Sequence, residues 1–362
     1  MRNCLASAVA FGIAVLTKFS ALVFLPPIAA AYFFLARWDH RPWSSPVRRH
    51  PAARRGALFL AVFLPVVWSG HLFAVGPLPP AQFAPPAGSF GERVEQAIER
   101  TVANRSLPAP AFLRGLLDVM GHNLQGHQCY LLGRLGQFGW WYYFPVALAV
   151  KTTIPLLLLA AMGTVLWIAP GPRRLRRPVF CPLLSAVLLL ALAMPSNLNL
   201  GIRHVLAIYP FLALAASSVF TGGRWFVSLA VALGIWHGAE SLIAHPDYLA
   251  YFNQIARGHE EEYLLDSALD WGQDLERLRR YMVEKQITSI YLSYFGRADP
   301  RRLLDIPDIR PLPPNLRPAG WVAVSKAHIA GLALEGYNLA WLRAHTPVAR
   351  IGKSILVYHF PE

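Results

Sequence analysis

Lys18, Lys151, Arg203 and His204 stand inside, or at the edge of, apolar stretches where an ionised side chain is costly. Lys151 is the eighth residue of FPVALAVKTTIPLLLLAAMGTVLWI (144–168), and Arg203 and His204 open IRHVLAIYPFLALAASSVF (202–220). A charge at membrane depth costs about 2.5–3.5 kcal/mol on insertion scales, so it is usually retained for a ligand, an ion or a partner. Arginine suits a phosphate because its planar fork grips two oxygens at once. Each cation could instead reach the interface as a simple anchor. Several together point to an anion held near one face of a bilayer.

A second set is acidic. Asp266, Asp270 and Asp274 recur every four residues in LLDSALDWGQDL and flank Trp271. On a continuous helix they would share one face and raise one another's pKa. They could bind a cation, or contact an acceptor or a sugar stacked on Trp271; a solvated cap at the start of the next helix is the plainer reading. Glu240, near the end of the last apolar run, is a further candidate acid. His122, His127 and Cys129 in GHNLQGHQC match no zinc spacing. They read as solvated loop residues, and no metal or cofactor is expected. Phosphate-cradling glycine loops and nucleophile constellations are also absent from the sequence, so a soluble nucleotide is not the obvious donor.

The elements that must position these residues follow from composition. Of 362 residues, 55% are hydrophobic and only 15% charged, against about 25% charged in a soluble domain. The net charge of +14 would by itself suggest nucleic acid, but ten arginines fall in two short linkers, Arg37–Arg55 and Arg173–Arg177. That is the pattern of cytoplasmic loops, and nucleic acid is not expected as a partner. The scattered cysteines Cys4, Cys129 and Cys181 form no disulfide framework.

Apolar segments cover 4–36, 56–75, 144–168, 179–194, 205–220 and 225–243. The first has 33 residues, about 50 Å as one helix against a hydrocarbon core of about 30 Å. It is read as two short spans turning at Lys18. The chain then starts inside, and 37–55, 173–177 and Arg224 are cytoplasmic. Lys18, His71, Lys151, Arg203 and His204 fall at the outer surface. About seven spans in residues 1–243 are expected, with an external loop at 76–143. That loop carries amphipathic helices at Gly91–Asn104 and Ala111–Met120, and ends in the aromatic belt Gly139–Pro145. From Ala244 the composition turns polar. Strands are predicted at Ile287–Tyr294, Trp321–Val324 and Ser354–Phe360, and helices at Tyr248–Arg257, Gln273–Glu284 and Ala333–Ala344. Residues 244–362 should form a small external α/β domain.

The chain resembles bacterial membrane glycosyltransferases of family 39, the group of the dolichyl-phosphate-mannose protein mannosyltransferases. The resemblance rests on GIAVLTKFSALVFLP (12–26), QCYLLGRLGQFGWWYYFPVALAVKTTIPLLLL (128–159) and NLGIRHVLAIYPFLALAAS (199–217). It continues in HPDYLAYFNQIARG (245–258), DSALDWGQDLERLRRY (266–281), YFGRADP (294–300), GWVAVSKAHIAGL (320–332) and ARIGKSILVYHF (349–360). It implies a mainly α membrane protein: a GT-C-like transmembrane helix bundle followed by the external domain, in a bacterial inner membrane. The implied activity is inverting transfer of a sugar from a polyprenyl-phosphate carrier to an acceptor. The resemblance places Lys18 and Arg203–His204 near the donor phosphate, with Lys151 following the aromatic entry to its span. In such enzymes an acidic residue in a first external loop acts as the catalytic base; this sequence lacks that loop, so no catalytic residue is assigned. A truncated or split member, partnered by a separately encoded N-terminal half, is expected on this ground. A non-catalytic carrier-binding membrane subunit and a transporter of lipid-linked saccharides are the alternatives.

Overall fold

A computed structural model describes residues 2–38, 52–103, 105–168, 180–304, 308–313, 317–332, 334 and 338–361. The arginine-rich linker Arg173–Arg177 and most of Arg37–Arg55 lie outside the described residues, as does part of the helix expected at Ala333–Ala344. The chain is mainly α and divides into two compact units: Met1–Gly126 with Val187–Leu192, and His127–Ala186 with Ala193–Glu362.

In the first unit the long apolar segment breaks at Lys18, as expected, into α1 (Arg2–Thr17) and α2 (Ala21–Trp38). Next comes α3 (Ala52–Gly70). Gly12 lets α1 approach α3 closely, since a methyl group there would stand 2.6 Å from Val66. Phe11 adds ring contacts to Phe59 and Phe63. Two-residue strands β1 (Val75–Gly76) and β2 (Leu107–Pro108) pair around α4 (Phe90–Val102), and α5 (Pro110–Gln125) follows. The amphipathic helices therefore exist, but α4 does not simply turn its charges to water. Glu95 is buried and, with Glu99 and Asp118, surrounds the buried Arg114 of α5. Burying an arginine requires such partners.

The second unit opens with the hairpin β3 (Cys129–Leu131) and β4 (Arg134–Gly136). The run 144–168, expected as one span, is two helices: α6 (Tyr143–Lys151) and α7 (Ile154–Ile168), bent by 112°. Pro155 has no N–H to continue the α6 hydrogen-bond ladder, which favours the break. Asn253 completes it: its side-chain amide donates to the carbonyls of Ala149 (2.6 Å) and Thr152 (2.7 Å), and its backbone N–H donates to Val150 (2.9 Å). These are carbonyls that a helix end leaves without partners. Because Asn253 is spent on this cap, Tyr248–Arg257 is irregular and not the helix expected there.

Next come α8 (Phe180–Ala193), α9 (Tyr209–Ser217) and α10 (Arg224–Ile243). Gly163 of α7 lies where a methyl group would stand 1.9 Å from the carbonyl of Ala215, so α7 and α9 touch backbone to backbone. Two helices, Ala53–Gly70 and Arg224–Ile243, are long and apolar enough to cross a membrane, or three if the bent pair counts as one span. The other apolar helices have 10–17 residues, short of the about 17–25 usual for a span. Fewer full-length spans are thus present among the described residues than the seven expected.

After α11 (Glu260–Tyr263) and α12 (Leu275–Glu284) the chain builds a five-stranded mixed sheet. Its members are β5 (Ser289–Ser293), β6 (Asp308–Pro311), β7 (Gly320–Ser325), β8 (Ala349–Ile351) and β9 (Ile355–Phe360), in the order β6-β5-β7-β9-β8. Two short helices, α13 (Pro300–Leu304) and α14 (Lys326–Ile329), sit in the connections. β5 is parallel to β6 and β7, while β9 is antiparallel to β7 and β8. Alternation along the strands supplies two apolar faces. Ile290, Leu292 and Ala323 meet Leu275, Leu278 and Met282 of α12 on one side, and Val322, Val324 and Tyr358 meet Ile329, Leu339 and Leu342 on the other. Strands β5, β7 and β9 and helix α12 lie where strands and a helix are expected in residues 244–362, whereas Tyr248–Arg257 is irregular. The compact unit containing this α/β domain nevertheless begins at His127, because Lys151, Asn253 and Glu240 bond 240–268 to α6 and α10.

Candidate anion and saccharide site

Arg203 lies on a single 3-10 turn, Ile202–His204, that follows Gly201 in a left-handed conformation (φ 90°). The turn is held by its neighbours. The Asn199 side chain accepts from the Trp140 N–H at 2.7 Å and donates to the Ser196 carbonyl at 3.1 Å. The Ser267 hydroxyl donates to the Leu200 carbonyl at 2.6 Å, joining this segment to the acidic one. Thus Arg203 reaches Trp271, its guanidinium carbon 5.1 Å from the ring centre. Both side chains are exposed to solvent, Trp271 by 52%. A cation over an indole face is an attractive arrangement worth about 0.5–1 kcal/mol at such sites. His204 stacks on Phe144 at 6.3 Å.

Lys151 takes a different part from the one expected. Its ammonium donates to the carbonyls of Leu249 and Ala268, both at 2.7 Å, and lies 4.2 Å from the centre of the Phe252 ring. Two of its three N–H groups therefore fasten the loop that carries Trp271 to the end of α6. Lys18 belongs to the first unit, exposed in the turn between α1 and α2. Lys151, Arg203 and His204 belong to the second unit.

The three aspartates do not line one helical face. Asp266 has φ 57° and begins a 3-10 turn that ends at Ala268, and Gly272 at φ 78° separates this turn from α12. Their environments diverge accordingly. Burial raises the pKa of Asp266 above the usual carboxylate range, with the charge of Arg203 opposing the shift. Asp270 is only 1% exposed; its Oδ1 accepts from the Gly272 N–H at 2.8 Å. Burial, aided by the negative charge of Asp274, pushes its pKa up to about 6. Among the described residues, Oδ2 of Asp266 and Oδ2 of Asp270 are buried with no hydrogen-bond partner.

Asp274 is the opposite case, and it is not the solvated cap of a helix. It is completely buried and does not cap α12 through its side chain. Instead it accepts from the N–H groups of Lys353 (2.9 Å) and Ser354 (3.0 Å), the Ser354 hydroxyl (2.9 Å) and the Arg277 guanidinium (2.8 Å). It thereby fixes the β8–β9 turn. Glu240 is similarly occupied, accepting from Trp236 (3.4 Å), Tyr251 (3.3 Å), Arg257 (2.5 Å) and Gln254.

Nor are His122, His127 and Cys129 all solvated loop residues. His122 lies in α5 and stacks on Phe83 at 4.3 Å. Burial and the charge of Arg203 lower the pKa of His127. Cys129 is fully buried, which pushes its thiol up to about 11. Among the described residues no group of three or more His, Cys, Asp or Glu side chains could hold a metal ion.

Sequence reasoning missed Asn199 and Asn253. Each is a fully or almost fully buried polar side chain in an apolar neighbourhood, and a buried amide must find partners. That requirement was the available signal. No family model matches the chain, and no curated protein or solved structure matches it.

Proposed function

We propose that the chain belongs to a multi-pass bacterial inner-membrane glycosyltransferase. It binds a sugar on a polyprenyl-phosphate carrier at the outer face, where residues after Ala244 lie, and serves transfer of that sugar with inversion. Arg203 grips the donor phosphate with His204 beside it, and the Trp271 face receives the sugar. The observation that carries this reading is the exposed Arg203–Trp271 pair on a braced frame. Ser267 and Lys151 tie the frame to Leu200 and Ala268, so little ordering is needed when a ligand arrives. A charge-assisted fork on phosphate supplies affinity, and an aromatic face suits the apolar side of a pyranose.

A carrier-binding role without transfer has one observation in its favour. Glu240, the candidate acid, and Asp274, a candidate acceptor or sugar contact, are both saturated by structural hydrogen bonds.

Equilibrium binding of a polyprenyl-phosphate monosaccharide to the protein in lipid nanodiscs tests the reading. Arg203→Ala should weaken binding about tenfold to a hundredfold, and Arg203→Lys by less, because it keeps the charge and loses the fork. Unchanged affinity in Arg203→Ala, with the protein inserted and folded, would remove the donor site from this place.

A further inference from the structure

The sheet domain carries a second cleft that the donor reading does not use. It is a half-open groove of about 610 Å³ at the end of the sheet where β5 and β7 begin. Its walls include Gln286, Tyr291, Arg310, Arg317, Trp321 and His359. A volume of this size lies within the range of small-ligand sites, roughly 300–1,000 Å³. Asp270 and Asp274 neighbour the opposite end of the same sheet, since Gly272 between them contacts Tyr294 just after β5. Five residues of strand separate the two ends, about 13 Å at the usual rise.

The chemistry of the walls selects a ligand class. Arg310 and Arg317 contribute two guanidinium groups, and among the described residues no Asp or Glu lines the cleft itself, although Asp308 beside it pairs with Arg310. Asp308 accepts from Nε and Nη2 of Arg310 at 2.9 and 2.7 Å, which occupies that edge of the guanidinium and holds the side chain beside Tyr291, its partner across the β5–β6 pair, so Arg317 carries the main share of anion binding. Arg317 stacks on Trp341, its guanidinium carbon 5.2 Å from the ring centre. Trp321 and His359 are cross-strand partners whose rings lie 4.6 Å apart, giving the cleft an aromatic wall. Thr288, Ser289 and Gln286 line it with polar groups suited to hydroxyls. Forked cations, aromatic rings and small polar groups around one cavity match a saccharide that bears a negative charge.

We infer that this cleft binds an acidic saccharide, with Arg317 and Arg310 on its carboxylate or phosphate and Trp321 against its ring. The inference stands apart from the donor reading, because it shares no residue with Arg203 or Trp271.

Titration of the full detergent-solubilised chain, followed by saturation-transfer NMR, tests it with glucuronic acid, glucose 1-phosphate, glucose and inorganic phosphate. Both acidic sugars should bind saturably and compete with each other. Glucose should bind at least about tenfold more weakly. Arg317→Ala, an exposed position that should not disturb folding, should weaken the acidic sugars to a similar degree, and Arg203→Ala should leave glucuronic acid, which has no phosphate for the donor site, unchanged. Equal binding of glucose would overturn the charge argument, and equal binding of inorganic phosphate would overturn the saccharide class. Absence of binding, or indifference to Arg317→Ala, would overturn the site itself. Loss of carrier binding in Arg203→Ala alone bears only on the donor reading.

Discussion

Replacing Asp270 with asparagine should make the protein less sensitive to pH, and the direction follows from the environment of that carboxyl. Asp270 is 1% exposed, accepts one hydrogen bond from Gly272 and leaves Oδ2 without a partner among the described residues. Burial pushes its pKa up to about 6, from 3.8 for an ordinary aspartate. A folded-state pKa above the unfolded value means that folding favours the protonated form. The contribution to stability is therefore complete below pH 3.8 and is lost as pH rises through 6. Two pH units at about 1.4 kcal/mol each set a ceiling of about 3 kcal/mol on this loss. An amide in place of the acid keeps the shape and cannot ionise, so the variant lacks this loss. Denaturant midpoints should be measured by tryptophan fluorescence at about pH 4 and about pH 7.5 for both proteins. Subtracting one from the other cancels the titrating groups that do not interact with Asp270. Wild type should lose up to about 3 kcal/mol relative to Asp270→Asn across that window. A difference independent of pH, or a variant that fares worse at the higher pH than at the lower, would refute the reasoning.

Asn253→Ala removes both side-chain donors to the carbonyls of Ala149 and Thr152 inside a fully buried site. It should cost about 2–6 kcal/mol, since each of the two buried carbonyls left bare costs about 1–3; denaturant unfolding reads the loss, and a cost under about 1 kcal/mol would disprove the cap. Gly352→Ala should be worse tolerated than any surface change in the same domain. Its φ is 56° and the new methyl group would stand 1.9 Å from Asp274 Oδ1, so a drop in folded yield and about 3 kcal/mol or more of stability are expected.

Much of the frame was legible because hydrophobic period and charge state it locally. Strands β5, β7 and β9 follow from alternating apolar residues, and the break at Lys18 from a polar dipeptide within an overlong apolar run. The short edge strands β6 and β8 have four and three residues and too little pattern to announce themselves. The bend after Lys151 was hidden for another reason. Its cause lies partly in Asn253, about a hundred positions away, whose amide the chain brings back to the α6 terminus. The same long-range closure separated the three aspartates. Spacing alone suggests one face, whereas positive φ at Asp266 and Gly272 turns each carboxyl into a different setting. Lys151 shows the limit most plainly: a cation in an apolar run is conspicuous in sequence, but its two carbonyl partners at 249 and 268 are not. Arg203 and Trp271, 68 positions apart in sequence, each stand out alone, and only the fold sets one over the other.

The central claim is that the guanidinium of Arg203 holds the phosphate of a carrier lipid. Solid-state NMR dipolar recoupling between carrier 31P and 15N-labelled arginine, in bilayers, measures this contact directly. The account predicts a strong coupling at hydrogen-bond range that disappears in Arg203→Lys. A coupling that survives this substitution unchanged, or none at all in a sample with carrier demonstrably bound, would contradict it.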